Sequence, residues 1–168
     1  RGRAAAWTGK GCIPHAGHRT GRGYAAQGNL LASRRVWGAM GRAFEQSNEP
    51  LAERLLAALE AGQRAGGDAR GMQSAALLVV GPGERGKPWT ERKIDLRVED
   101  HPSPIRELRR ILNLHRAYEL GDEAERLSVE GRAADAERTY AAALRRSPRN
   151  DELLFWRAAM RFRVGLAD

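Results

Sequence analysis

Gly66-Gly67-Asp68-Ala69-Arg70-Gly71-Met72-Gln73-Ser74-Ala75-Ala76-Leu77-Leu78-Val79-Val80 contains the transition on which the fold turns. A glycine pair stops a helix. A short polar loop then carries an acid, an arginine and an amide. The nearly continuous apolar run from Ser74 to Val80 has the pattern of a strand buried on both faces. Loops that present charged and amide side chains at the edge of a sheet are where ligand sites tend to be built.

Upstream of this stretch, Ser33 is placed to cap a helix with Val36, Met40, Ala43 and Phe44 on one face. Gly38 and Gly41 weaken that helix by roughly 1 kcal/mol each, which suits close packing against a sheet. Pro50 opens a second helix, with Leu51, Leu55, Ala58 and Leu59 aligned. Nearer the start, residues 3–8 read as a short strand. Residues 9–23 read as glycine-rich and irregular, and Tyr24 to Leu30 as another strand.

Downstream, Gly81 to Trp89 reads as a long turn. Lys93 to Glu99 then alternates, with Ile94, Leu96 and Val98 on one side and charged residues on the other. This is a half-exposed strand antiparallel to its predecessor. Two helices followed by paired strands predict an α+β fold, with helices layered on an antiparallel sheet over residues 1–100.

Residues 101–168 read differently. Past Pro102 and Pro104, Ile105, Leu108, Leu112 and His115 recur at helical spacing. Gly131, Ala136, Tyr140, Ala143, Leu144 and Pro148 have the spacing of the second helix of a tetratricopeptide repeat. Gly165 follows Gly131, and Ala158 follows Ala124, at the period of that repeat. An all-helical extension is expected, cut short within its next repeat, with Tyr140, Trp156 and Phe162 in the repeat core.

The net charge of +8 is uneven: residues 1–48 hold seven arginines and Lys10 against Glu45, leaving +1 for the remainder. Such an excess attracts anions. Charge alone supports nucleic-acid binding weakly, and none is expected. No apolar run approaches the roughly 20 residues of a membrane helix. Cys12, the single cysteine, fits a reducing compartment, so a cytoplasmic location is expected.

Several side chains invite a chemical role. Cys12, His15 and His18 share one loop, but three ligands without a fourth make a poor zinc site, and no metal or cofactor is expected. Ser74 lacks the G-x-S-x-G context of a nucleophile elbow. Gln27, Asn29 and Gln73 are amides near strand ends, able either to donate to a developing oxyanion or to satisfy buried backbone groups. Asp68 and Arg70 can pair to position a carboxylate or amide substrate, or can fix their own loop. Asp100 and His101 sit where strand, turn and helix must be joined.

The loop Gly66-Gly67-Asp68-x-Arg70-Gly71-x-Gln73-Ser74-Ala75-Ala76-Leu77 resembles a signature of a bacterial and archaeal family catalogued as domain of unknown function 1028. Cys12-x-x-x-Ala16-Gly17-His18-Arg19-Thr20-Gly21 and Asp95-Leu96-Arg97-Val98-Glu99-Asp100-His101 are similar to further blocks of that family. The likeness extends to about Tyr118. Relatives carry tryptophan at the place of His15, which argues against an essential ligand there.

The resemblance implies an N-terminal-nucleophile (Ntn) hydrolase-like αββα sandwich followed by the tetratricopeptide-like extension. Ntn hydrolases use a Thr, Ser or Cys at the first residue of the mature chain. Arg1 has neither a hydroxyl nor a thiol, and the segment at Arg3 matches an internal strand of the family. The chain is therefore expected to be the C-terminal part of such a domain. It would belong to an amide-bond hydrolase and have no catalytic residue of its own. Asn29, Asp68, Arg70, Gln73, Gln27 and His18 are the expected substrate-pocket residues, and a small amide or peptide the expected substrate. The alternative is a non-enzymatic binding module whose helical tail captures a peptide, a protein or peptidoglycan.

Overall fold

The structure is a computed structural model that describes residues 2–82 and 91–166. The described residues form a mixed α+β arrangement of two small antiparallel sheets and five helices, and the chain divides into units Arg1–Leu108 and Arg109–Asp168.

The first unit opens without regular structure: residues 3–8 form no strand, contrary to the sequence reading. A strand requires a neighbouring backbone to pair with, and no described segment pairs with this one. The expected irregularity of residues 9–23 is corrected as well, because β1 (Gly17–Gly21) forms there and pairs with β2 (Tyr24–Gly28). Gly21 faces Tyr24, so Arg22 and Gly23 make a two-residue turn, and Gly23 supplies the left-handed φ of 79°.

Helix α1 (Val36–Gln46) packs on this hairpin, and α2 (Leu51–Arg64) packs against α1 and the strand that follows α2. Ser33 does not occupy the N-cap of α1. Its hydroxyl accepts the Arg35 N–H at 3.1 Å, ordering the turn before the helix. On α2 the buried residues are Ala52, Leu56, Ala58 and Gly62, while Leu51 is exposed and Leu55 and Leu59 are half-buried, so the apolar face is rotated from the expected one.

Glycines set the close approaches. A Cβ on Gly17 would lie 2.4 Å from the Trp37 ring, and one on Gly41 would lie 2.5 Å from Arg19 Cδ. Gly41 therefore plays the expected packing role. Gly38 does not, since its nearest neighbour is the end of Arg42 at 3.4 Å. Arg19, Tyr24 and Glu45 close the hairpin onto α1: Glu45 accepts from Tyr24 Oη at 2.6 Å and from Arg19 Nη2 at 2.7 Å.

β3 (Ala75–Val80) and β4 (Arg92–Val98) form the second sheet, with Leu77, Ile94 and Val98 buried on its inner face. The outer face of β3 is not buried: Leu78 is 52% and Val80 57% exposed. The reading of a strand covered on both sides is corrected here, because the described residues supply cover for one side only. The expected turn over Gly81 to Trp89 lies outside the described residues except for Gly81 and Pro82.

From Pro104 onward every described element is a helix: α3 (Pro104–Val129), α4 (Ala133–Arg146) and α5 (Asp151–Arg163). Within the second unit, Ala124, Leu127, Ala136, Tyr140 and Met160 make one core cluster, and Ala117, Ala143 and Leu153 make another. Asn150 caps α5 by accepting the Leu153 N–H at 2.9 Å. Tyr140 is core, as expected. Phe162, 79% exposed, and Trp156, 45% exposed, are not. Phe162 projects from the side of α5 opposite Leu153 and Met160, while Trp156 lies on its flank, edge-on to Phe155. Among the described residues no helix is long and apolar enough to cross a membrane.

Candidate functional site

The loop after α2 is shaped by its backbone. Gly67 N–H returns to Gly62 O at 3.0 Å and Gly66 N–H to Gln63 O at 3.1 Å, the paired bonds of a Schellman helix end. Gly66 has φ 133° and Gly67 φ 63°, conformations open to glycine and strained for other residues. The chain leaves the helix sharply and runs beside Leu30–Leu31. Ala69 N–H donates to Leu30 O at 2.8 Å, Ala32 N–H donates to Gly67 O at 3.0 Å, and Leu31 bridges Asp68. Leu30 itself has φ 58°, an uncommon conformation for a leucine, and its N–H is held by Asn29 Oδ1 at 2.9 Å.

Asp68 and Arg70 then form a fork. Arg70 Nε donates to Oδ1 at 2.9 Å and Nη2 to Oδ2 at 2.7 Å, and the Arg70 backbone N–H adds a third bond to Oδ1 at 2.8 Å. The Arg70 side chain holds the Asp68 carboxyl at a pKa of about 2, well below the ordinary carboxylate range; its backbone N–H acts in the same direction. Asp68 is therefore a fixed anion, unsuited to act as a general acid or base near neutrality. The Arg70 side chain stays 71% exposed, so a cationic side chain faces solvent from a rigid mount.

Asp68 and Arg70 line a concavity of about 300 Å³ together with Gln63, Gln73, Ser74 and Pro104. Gln73 O accepts the His101 N–H at 2.9 Å, and His101 Nδ1 accepts the Ser103 N–H at 2.9 Å. His101 thus ties loop, strand end and helix start together, the joining role read from its position.

The remaining expected residues lie elsewhere. Gln27 and Asn29 line a separate concavity of about 290 Å³ with Trp7, Thr8 and Cys12. The Leu31–Asp68 bridge brings the two loops side by side, but the side chains divide between two hollows. His18 bonds through Nδ1 to Thr8 Oγ1 at 2.6 Å. Sequence reasoning missed Thr8, since ten residues separate the pair and no local motif marks it. Among the described residues no group of three His, Cys, Asp or Glu side chains converges on a metal position.

The family model described as "Family of unknown function (DUF1028)" matches residues 1–108. Among solved structures, the chain is similar to protein SPO2555 from Silicibacter pomeroyi, itself assigned to the same family model, with 36% identity and a TM-score of 0.54. The similarity covers 64% of this chain and 45% of that one, so this chain spans less than half of its solved neighbour. No curated protein matches. With the family model covering more than half its length, the chain belongs to the DUF1028 family, whose function is unknown.

Proposed function

We propose that the first unit supplies a substrate-holding wall of an Ntn-type amide hydrolase, and that the 168 residues alone do not turn substrate over. The observation that carries this reading is the Asp68–Arg70 fork at the rim of its concavity. A guanidinium immobilised by a carboxylate, on a largely exposed side chain, is suited to hold the carboxylate or carbonyl of an amide substrate. Gln73 on the same wall can donate to that amide. The family's resemblance to Ntn hydrolases supplies the reaction class, in which the nucleophile is a Thr, Ser or Cys whose own amine serves as base.

The test is hydrolysis of a panel of N-acyl amino acids by the polypeptide of the whole reading frame and by the 168-residue chain. The expected result is turnover by the former only, with Arg70→Met raising KM about tenfold or more through loss of a charge-assisted pair. Turnover by the purified 168-residue chain, or an Arg70→Met enzyme with unchanged kcat/KM, contradicts the proposal.

A further inference from the structure

The helical unit carries a cleft of about 210 Å³ that is independent of the loop just described. Its aromatic walls are Tyr118, Tyr140 and Trp156, and its acids are Asp122, Glu125 and Glu152. Gly121 sits between them. A Cβ there would lie 2.7 Å from Leu153 Cδ2, so the glycine lets α3 and α5 approach closely enough to form the cleft.

Two of the acids have partners. Glu152 accepts the Tyr118 hydroxyl at 2.9 Å, and both oxygens of Glu125 accept from Arg163 Nη2, at 2.7 and 2.8 Å. Asp122 makes no hydrogen bond or ion pair with any described residue and is exposed. Tyr140 is 1% exposed, yet among the described residues its hydroxyl reaches only Glu125, at 3.4 Å. That distance is at the outer limit of a hydrogen bond, so a buried hydroxyl in the cleft wall is poorly satisfied.

We infer that this cleft holds an arginine side chain of a basic peptide. The cleft is lined by three carboxylates and no described basic side chain, and only Glu125 among them is paired with a described guanidinium, that of Arg163, so the cleft presents net negative charge. A guanidinium stacks on an aromatic face and forks onto a carboxylate, and the cleft offers both. Within the fold, Arg163 Nη2 already donates to both oxygens of Glu125. A lysine ammonium would meet the charge but would not stack. An acidic peptide is repelled, and an apolar one gives the Asp122 carboxylate no partner.

The experiment titrates the full 168-residue chain with acetyl-Gly-Arg-Gly-amide and with the citrulline analogue, which has the shape of arginine without its charge. The readout is the NMR signal of the Trp156 indole N–H, assigned by its disappearance in Trp156→Phe. The arginine peptide is expected to shift that signal saturably, and the citrulline peptide to bind about tenfold more weakly or worse. Asp122→Asn combined with Glu152→Gln is expected to weaken the arginine peptide by about tenfold. Helical circular dichroism serves as the folding control, and if the double variant loses it, Asp122→Asn alone serves, since Asp122 bonds to no described residue. The inference is overturned by no saturable shift up to about 10 mM peptide. It is equally overturned by equal binding of citrulline, or by a shift that the carboxamide variants leave unchanged.

Discussion

Arg70 holds both oxygens of Asp68, at 2.9 and 2.7 Å, from only two residues away. A side-chain fork over so short a span requires the chain to fold back on itself. The turn from Asp68 to Gly71 does this, with Gly71 N–H on Asp68 O at 3.1 Å and Gly71 at φ 102°. Because the folded carboxyl titrates near 2 against an ordinary 3.8, its contribution to stability is complete above about 3.8 and is lost as the pH falls toward 2. Carbon-detected NMR of the Asp68 carboxyl should give a midpoint near 2, moving up toward 3.8 in Arg70→Met. A midpoint near 3.8 in the unaltered chain contradicts the fork.

The two glycines of α1 should respond in opposite directions. Gly41→Ala pushes a methyl to within 2.5 Å of Arg19 Cδ and 2.8 Å of Tyr24 Oη, and should destabilise by about 1–3 kcal/mol. Gly38→Ala meets only the flexible end of Arg42 and should stabilise by about 0.5–1 kcal/mol through helix propensity. Thermal melts of both variants decide the matter. Equal shifts of the same sign would show that α1 does not press on the hairpin at Gly41.

Tyr140 should ionise late. Burial, with help from the Glu125 charge and hydrogen bond, pushes its hydroxyl up to about 12. A group whose folded value is raised stabilises fully below its ordinary value of 10, and that stability is lost as the pH rises from 10 toward 12. Absorbance titration of the phenolate, compared with Tyr140→Phe, should show one late-titrating group missing from the variant. A wild-type curve that is complete by about 11 contradicts the burial of that hydroxyl.

The sequence disclosed what local pattern controls. The double glycine at 66 and 67 stopped α2, the alternation of Ile94, Leu96 and Val98 gave β4, and the prolines at 102 and 104 marked the change to helices alone. It misled where partners decide. Residues 3–8 have strand composition but no described strand to pair with, and Val80 is as apolar as a core residue yet faces outward. Trp156 and Phe162 fit a helical repeat's interior, but three described helices leave one side of α5 uncovered. Of the candidate site, Asp68, Arg70 and Gln73 were legible because one loop carries all three. The separation of Asn29 and Gln27 into another hollow was not, because it depends on the Leu31–Asp68 bridge between distant segments.

The central claim is that the Asp68–Arg70 loop receives the carboxylate of an amide substrate, and the most direct measurement is the NMR signal of Arg70 Nε–H during titration with N-acetylglycine. The account predicts a saturable shift of that signal and of the Gln73 side-chain amide, absent for N-acetylglycine amide and abolished in Arg70→Met. Shifts confined to the hollow of Gln27 and Asn29, or equal responses to the acid and its neutral amide, would contradict it.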